Sequence, residues 1–241
     1  MYPPCDILGF GALAHLFHSV AMISVIIPTW NAARALPRCF ESLIPGVVSG
    51  LVREVIVADG GSDDDTLAIA DASGARVVNA ARSRGSRMAS GASSARGDWL
   101  LFLFPETALE GGWEREAEDF LDRVTLDRPR AATFRYALDG FDGTARRRET
   151  AARLRGAIFG LPYGDQGLLV PRRFYRALGG HSTSSMEDID LIRRIGRRRL
   201  ITLRSRAINK NEDKPDLRRS ALLAALHAVR MPRALVSFIG E

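Results

Sequence analysis

The chain has 241 residues, 46% of them hydrophobic and 26% charged, and these proportions exclude a globally disordered protein. The length suits one α/β domain, or one domain with a tail, and leaves ample apolar sequence for a core. The formal net charge is +6, and the basic residues are almost all arginine. This excess fits an anionic partner, such as nucleotide phosphates, anionic lipid or nucleic acid, but equally a merely solvated basic surface.

The first 21 residues are partly apolar, but they are too short and too interrupted for a membrane-spanning helix. Met22 directly precedes a clean strand pattern, so we expect residues 1–21 to be a disordered or mis-started extension. The two cysteines, Cys5 and Cys39, fit no metal or redox spacing. A reducing, cytoplasmic location is therefore the default expectation.

From residue 22 onward, strand and helix patterns alternate. Short β-branched or apolar runs predict strands over 23–27, 54–58, 75–79 and 99–104. The intervening segments predict helices over 34–43, 64–72 and 84–95. This alternation is typical of a mostly parallel central sheet flanked by helices, an α/β fold.

The second half is less regular. We predict helices over 111–123, 151–159, 172–178 and 186–194, and strands over 131–138, 166–170 and 201–203. Together these define a single domain over 22–208 and a basic amphipathic tail over 209–241, with a linker beyond Asn209 and a helix over 216–229. The tail helix could contact an anionic membrane surface peripherally or pack back on the domain.

Polar residues follow three of the predicted strands, at 28–31, 59–62 and 105–107. In parallel sheets, ligands bind at the carboxyl ends of the strands, so these clusters are expected at one edge. Glu106 ends the apolar run LLFLFPETAL, and we expect its carboxylate to face a metal or ligand. Loops after strands are polar in any case, which leaves chance as the alternative.

The stretch VADGGSDDDT, residues 57–66, combines glycines that allow close backbone approach with several acids. A helix cap at Ser62 or Asp63 explains most of it. Asp59 precedes the glycines and is not explained by capping. Its carboxylate could accept hydrogen bonds from a base or a ribose.

Four segments together resemble a family 2 glycosyltransferase, which has the GT-A (Rossmann-like) fold. They read VIIPTWNAARALPRCFESL, VIVADGGSDDDT, SRGSRMASGASSARGDWLLFLFPETAL and YGDQGLLVPRRFYRALGGHSTSSMEDIDLIRRIGRR. The resemblance spans about residues 22–199 and is strongest to a small bacterial subgroup of the arsenosugar-biosynthesis type. It implies transfer of a sugar from a nucleotide-diphosphate donor to an unknown acceptor, metal-assisted and inverting, with no nucleic acid partner.

The resemblance also implies roles for individual residues. Those expected near the donor base and phosphates are Pro28, Asn31, Asp59, Asp64, Arg84 and Arg87. Glu106 falls at the metal position, for Mg²⁺ or Mn²⁺. Asp188 matches the catalytic base, with Glu187 as the alternative. Gly164, Asp165 and Gln166 match a loop near the acceptor or donor sugar.

Simpler interpretations stay open for several of these residues. Arg84 and Arg87 could lie on a solvated helix face. Glu187 and Asp188 could merely favour a helix N-terminus or pair with Arg193 or Arg194. His181 is expected to be a surface or loop residue.

The sequence departs from the subgroup pattern at the fourth strand end. The subgroup has His-Ala-Asp-Thr, whereas this chain has Phe104, Pro105, Glu106 and Thr107. Glutamate can still bind a hard divalent cation, but its longer arm moves the carboxylate. The alternatives are therefore an active transferase, in the cytoplasm or peripheral at the inner membrane face, and a weakened or inactive nucleotide-sugar-binding protein. A nucleotidyltransferase or another nucleotide-handling enzyme is a third.

Overall fold

The computed structural model of the protein describes residues 22–125, 127–139, 150, 164–182 and 187–210. For Glu187 and Asp188 only the backbone is described. The predicted extension 1–21, the predicted helix 151–159 and the tail beyond residue 210 lie outside these ranges. In the described ranges, no helix is long and apolar enough to cross a membrane.

The described strands are β1 (Ile23–Thr29), β2 (Val52–Asp59), β3 (Arg76–Asn79), β4 (Trp99–Phe102), β5 (Thr107–Leu109), β6 (Ala131–Asp139), β7 (Leu168–Pro171) and β8 (Leu200–Lys210). The helices are α1 (Leu36–Val48), α2 (Thr66–Ala72), α3 (Arg84–Ser94), α4 (Trp113–Arg123), α5 (Arg172–Ala177) and α6 (Glu187–Ile195). Short 3₁₀ turns cover Gly164–Gln166 and Arg197–Arg199.

All eight described strands form one sheet, in the order β3-β2-β1-β4-β7-β6-β8-β5. Strands β3, β2, β1 and β4 are parallel, as are β6 and β8. The pairings β4–β7, β6–β7 and β5–β8 are antiparallel. The predicted α/β class with a mostly parallel sheet is thus confirmed, with parallel pairing concentrated in the first half.

Helices cover both faces of the sheet, which is why β1 is buried along its whole length. Val25 and Ile27 face a core cluster that includes Trp113 of α4, whereas Ile26 faces a second cluster with Met88 of α3. Helix α3 is rich in small residues because it lies very close to the sheet. A Cβ added at Gly91 would lie 2.5 Å from Ile26 Cγ2.

Strand β1 continues through Pro28, two residues beyond its predicted end. The carbonyl of Ile26 accepts from Leu103 N, on the β4 side. Alternation then places the Pro28 nitrogen on the same side, where β4 has already ended at Phe102. The missing N–H therefore removes no hydrogen bond from the sheet.

Two further element predictions were wrong in extent, and one strand was missed. Helix α1 runs to Val48 through Pro45, five residues past its predicted end. Strand β8 runs to Lys210, so Asn209 lies in a strand and not at the start of a linker. Strand β5 was not predicted, because only its pairing with β8 distinguishes it from a loop.

Candidate functional site

A cleft of about 280 Å³ opens at the carboxyl ends of β1 and β4. The residues that line it are Pro28, Trp30, Arg84, Arg87, Phe104, Pro105, Glu106, Asp165 and Asn209. The fold therefore brings two of the three predicted polar clusters, 28–31 and 105–107, to one cleft. Arginines from α3 and an acid from the 3₁₀ turn complete it.

The third cluster, at the end of β2, does not line the cleft but is hydrogen-bonded to the loop after β1. The Asp59 carboxylate is 2% exposed and accepts four hydrogen bonds. Two come from the backbone N–H groups of Gly61 and Ser62, each 2.8 Å to Oδ2. The other two come from the hydroxyls of Thr29 (2.9 Å) and Ser62 (2.5 Å) to Oδ1. Both oxygens are thus occupied by the chain's own donors.

These contacts decide the charge of Asp59. Burial raises the pKa of the carboxyl, but the hydrogen bonds from Ser62, Thr29 and Gly61 outweigh burial, so the pKa lies below its ordinary value. Asp59 is therefore ionised at neutral pH and organises the turn that follows β2.

Hydrogen bonds also join the loop after β1 to the loop after β2. The backbone N–H of Asn31 donates to Ser62 Oγ (2.9 Å), and Asn31 Oδ1 accepts from the N–H of Asp63 (3.0 Å). Asn31 has a φ of 51°, in the left-handed region that asparagine tolerates better than most residues. The predicted donor loop is thus held in one conformation by its neighbour.

Asp64 completes the junction between the two loops. Its Oδ2 accepts from Ala33 N (3.0 Å), and its Oδ1 accepts from both the N–H (3.0 Å) and the hydroxyl of Thr66. The Thr66 hydroxyl bond is the main cause that lowers the pKa of Asp64. Helix α2 begins at Thr66 after Asp65. The predicted cap at Ser62 or Asp63 was therefore wrong, because these residues serve the loop contacts instead.

The basic side of the cleft comes from α3 and the segment before it. The Arg84 guanidinium lies 5.0 Å from the Phe104 ring centre, and that of Arg82 lies 4.4 Å from the ring of Trp30, which is 46% exposed. Arg87 is only 9% exposed, so a solvated helix face is the wrong description for it. A Cβ at Gly60 would lie 3.1 Å from Arg87 Cδ, so the glycine leaves room for this buried arginine.

Glu106 lies in the turn between β4 and β5 and is exposed, whereas Pro105 and Thr107 on either side are buried. The N–H of Thr107 donates to the carbonyl of Phe104 (3.0 Å), which closes the turn. Below it, Cys39 Sγ donates to the same carbonyl (3.7 Å). Burial raises the pKa of the Cys39 thiol, and the charge of Glu106 raises it further, so the thiol stays protonated.

Asp165 and Asn209 also line the cleft and are joined to each other. Asn209 Nδ2 donates to the carbonyl of Asp165 (3.2 Å), and its Oδ1 accepts from the Thr107 hydroxyl (2.7 Å). Gln166 is buried and donates to the carbonyl of Phe134 (2.8 Å), so it anchors the 3₁₀ turn that Gly164 begins. The sequence analysis did not identify Asn209 as a site residue. The signal that could have identified it is a single polar residue at an inward-facing position of a strand.

The predicted catalytic acids, Glu187 and Asp188, begin helix α6, and their side chains lie outside the described part. Their roles stay predictions. Arg194, considered as an ion-pair partner for them, pairs with Asp190 at 3.0 Å. His181 lies in a loop, as one of its two predicted positions required, but the surface alternative was wrong. The side chain is buried against Phe102 and bonded to the Tyr175 hydroxyl (3.0 Å).

In the described ranges, no group of three or more His, Cys, Asp or Glu residues is arranged to hold a metal ion. The cleft itself carries two carboxylates, Glu106 and Asp165. A cation in this cleft would therefore take most of its ligands from water or from a bound phosphate group.

The architecture, an eight-stranded curled sheet between helices, is the GT-A-like fold. It is similar to two crystal structures of glucosyl-3-phosphoglycerate synthase from Mycobacterium tuberculosis. One, with phosphoglyceric acid, has a TM-score of 0.63 and 22% identity, covering 88% of this chain and 81% of that one. The other, with Mn²⁺, UDP and glucosyl-3-phosphoglycerate, has a TM-score of 0.62 and 21% identity, covering 96% and 88%.

Sequence comparison identifies the class of the first half. Residues 24–103 match the family model for Glycosyl transferase family 2. A PGL/p-HBAD biosynthesis glycosyltransferase of Mycobacterium tuberculosis is 37% identical over 95 residues, 36% of each chain. Glucosyl-3-phosphoglycerate synthase of the same species is 49% identical over 57 residues, 24% of this chain and 17% of its own. The chain therefore matches 36% of the length of the first relative and 17% of the length of the second. The matched segment, from β1 to the end of β4, supports a family 2 glycosyltransferase.

Proposed function

We propose that the chain is a glycosyltransferase that moves a sugar from a nucleotide-diphosphate donor to an acceptor. The observation that carries this proposal is the cleft, which brings Arg84 and Arg87 together with Glu106 and Asp165 at the carboxyl edge of a GT-A-like sheet. Guanidinium groups bind diphosphate oxygens through charge-assisted hydrogen bonds. The matched family segment contributes both the first strands and the arginine-bearing helix.

UDP-sugars and Mn²⁺ are the first donor and cation to consider, since solved relatives of this fold contain Mn²⁺ with UDP or with UDP-glucose. Glu106 fits such a cation: its carboxylate is exposed in the cleft, and its two neighbours are buried and hold the turn. Mg²⁺ and Mn²⁺ accept one or two protein carboxylates together with waters and phosphate oxygens. When bound, the cation would supply positive charge beside the departing diphosphate.

The donor loops have a second role in the proposal. Pro28 lines the cleft, and Asn31, Asp59 and Asp64 hold the adjoining loop through hydrogen bonds. Direct recognition of a base by Asp59 requires a ligand to replace one of its four present donors. We therefore assign Asp59 mainly to shaping the base-binding rim, beside the exposed ring of Trp30.

For the acceptor side, Asp188 is proposed as the base that takes the proton of the acceptor hydroxyl, with Glu187 as the alternative. The turn Gly164–Gln166 is proposed to border the sugar, with Asp165 lining the cleft. Inversion at the anomeric carbon and the arsenosugar-type subgroup remain parts of this proposal that rest on the sequence resemblance alone. Peripheral membrane contact rests on the basic amphipathic pattern of the tail, and a cytoplasmic location rests on the absence of a disulfide pattern in the sequence.

The competing proposal is a nucleotide-sugar-binding protein without turnover. The glutamate at the metal position, one methylene longer than the aspartate of the subgroup, favours it. Donor binding is common to both proposals, so only turnover separates them.

The test measures UDP binding by calorimetry, with and without Mn²⁺, and donor hydrolysis for a panel of nucleotide-diphosphate sugars. We expect Mn²⁺ to tighten UDP binding in the wild type. Glu106→Gln should remove most of that gain, because an amide is a weaker ligand for a hard cation. Glu118→Gln is the matched control, since Glu118 is exposed on α4 and does not line the cleft.

The outcomes are distinct. If Glu106→Gln keeps the full Mn²⁺ gain, Glu106 is removed from the site. If no nucleotide diphosphate binds the wild type, the glycosyltransferase proposal itself is refuted. Binding without hydrolysis or transfer, in the wild type and in Asp188→Asn alike, would favour the non-catalytic alternative.

A further inference from the structure

Asn209 occupies a position where a polar side chain requires a reason. It is 1% exposed, is the next-to-last residue of β8 and lines the cleft. Asn209 pairs in register with Thr107 of β5. Burial of an amide costs free energy unless its N–H groups and its oxygen all have hydrogen-bond partners. For Asn209 all of these partners are groups of the chain.

Both N–H groups of the Asn209 amide are used within the chain. Nδ2 donates to the carbonyl oxygens of Asp165 and Ala207, each at 3.2 Å. Oδ1 accepts from the Thr107 hydroxyl at 2.7 Å, and that hydroxyl also lies 3.4 Å from the Asp165 carbonyl. One side chain thus connects β8, β5 and the 3₁₀ turn.

The connected segments are those that carry the two acids of the cleft. Thr107 directly follows Glu106, and the carbonyl bound by Asn209 belongs to Asp165 itself. Because the Asn209 amide is bonded to Thr107 through its oxygen and to Asp165 through its nitrogen, it restricts how far the turn after β4 can move relative to the 3₁₀ turn. Groups that orient metal-binding or phosphate-binding side chains in this way change affinity without touching the ligand.

We propose that Asn209 is a positioning residue that sets the separation between Glu106 and Asp165, and through it the cation dependence of nucleotide binding. The proposal rests on the proposed function for its ligand. The positioning itself rests only on the hydrogen bonds of the chain.

The test compares Asn209→Leu with Glu116→Gln. Leucine has the same branched side-chain skeleton of four heavy atoms as asparagine but makes no hydrogen bond, so it removes the connection without opening a cavity. Glu116 is the matched control because it anchors the same strand away from the cleft, accepting the N–H groups of Arg204 (2.6 Å) and Ser205 (2.7 Å). Both variants loosen β8, but only the first loosens the cleft.

The first readout is UDP affinity with and without Mn²⁺. In Asn209→Leu, the factor by which Mn²⁺ tightens UDP binding should fall by about tenfold, the lower end of what losing an outer partner costs a metal site. UDP affinity without Mn²⁺ should change less than about twofold, because the arginines remain. Glu116→Gln should lower the melting temperature but leave the Mn²⁺ factor unchanged. An Asn209→Leu variant that loses stability but keeps the wild-type Mn²⁺ factor overturns the proposal.

The second readout is amide hydrogen exchange without ligand, over residues 104–109 and 164–168. Both segments should exchange faster in Asn209→Leu and at the wild-type rate in Glu116→Gln. The two readouts together separate the two proposals. Failure of the wild-type protein to bind UDP refutes the proposed glycosyltransferase function. Unchanged hydrogen exchange of both segments in Asn209→Leu refutes the positioning role of Asn209. If Asn209→Leu does not fold, Asn209→Ser is the replacement, with the same outcomes.

Discussion

The carboxylate of Asp59 offers the sharpest test of how the donor loops are held. In Asp59→Asn, one oxygen can still accept from the N–H groups of Gly61 and Ser62, which cannot reverse their direction. The new amide N–H groups can be matched only if the hydroxyls of Thr29 and Ser62 turn to accept instead. All four contacts then survive as neutral hydrogen bonds.

The expected loss of stability follows from the replacement of charged hydrogen bonds by neutral ones. A hydrogen bond to a charged group contributes about 1.5–3 kcal/mol and a neutral one about 0.5–1.5 kcal/mol. Over four contacts the difference of about 1–1.5 kcal/mol each adds up to about 4–6 kcal/mol. A buried neutral amide costs less desolvation than a buried carboxylate, which offsets part of this loss. We therefore expect the free energy of unfolding to fall by about 2–4 kcal/mol at pH 7. In a chain of this size that lowers the melting temperature by roughly 4–16 °C. Asp59→Ala should be worse, since it leaves the backbone N–H groups of Gly61 and Ser62 without their acceptor.

The difference between wild type and Asp59→Asn should depend on pH. The folded-state pKa of Asp59 lies below its ordinary value, so the carboxylate stabilises the fold fully above the unfolded-state pKa of about 3.9. This contribution is lost as the pH falls through the lower, folded-state pKa. The gap between the proteins should therefore stay constant from pH 7 to about pH 5 and narrow below about pH 4.

Urea unfolding followed by tryptophan fluorescence at several pH values measures this gap. Asp63→Asn is the control, because it removes the same charge from an exposed position in the same loop. Equal stability of Asp59→Asn and Asp63→Asn at pH 7 would refute the assignment of Asp59 as the organiser of the loop. A gap that widens on acidification would contradict the pKa argument.

Two further predictions concern packing around α1 and α3. Gly91→Ala should destabilise the fold by about 1–3 kcal/mol in urea unfolding, because its new methyl group meets Ile26 at 2.5 Å; Gly111→Ala, with nothing within 4 Å, should change stability by less than about 0.5 kcal/mol. Comparable losses in the two variants would show that α3 can move away. In a Cys5→Ser background, Cys39 should resist alkylation at pH 8, since it is buried and its pKa is raised. Labelling at the rate of a free thiol in folded protein would contradict this burial.

Local patterns were sufficient where neighbours in sequence determine the structure. The four first strands and their helices were predicted within a few residues because apolar periodicity and the turns between them are local properties. The convergence of Pro28 and Glu106 in one cleft also followed, since parallel strands place their carboxyl ends together. The error of extent at α1 arose because the added turn through Pro45 includes Gly46, which lies against Trp113 and Val52, and these contacts are formed only in the fold.

What the sequence determined alone is therefore the order of elements and the edge of the sheet where chemistry would occur. Tertiary structure decided which polar residues face the cleft and which hold it. The Asp59 carboxylate and the Gln166 amide form hydrogen bonds with groups of the chain itself. Arg87 is buried beside Gly60. Asn209 joins segments that are more than forty residues apart in the sequence. The physical reason is that hydrogen-bond matching of a buried polar group depends on partners brought near by the fold, and no local spacing encodes those partners.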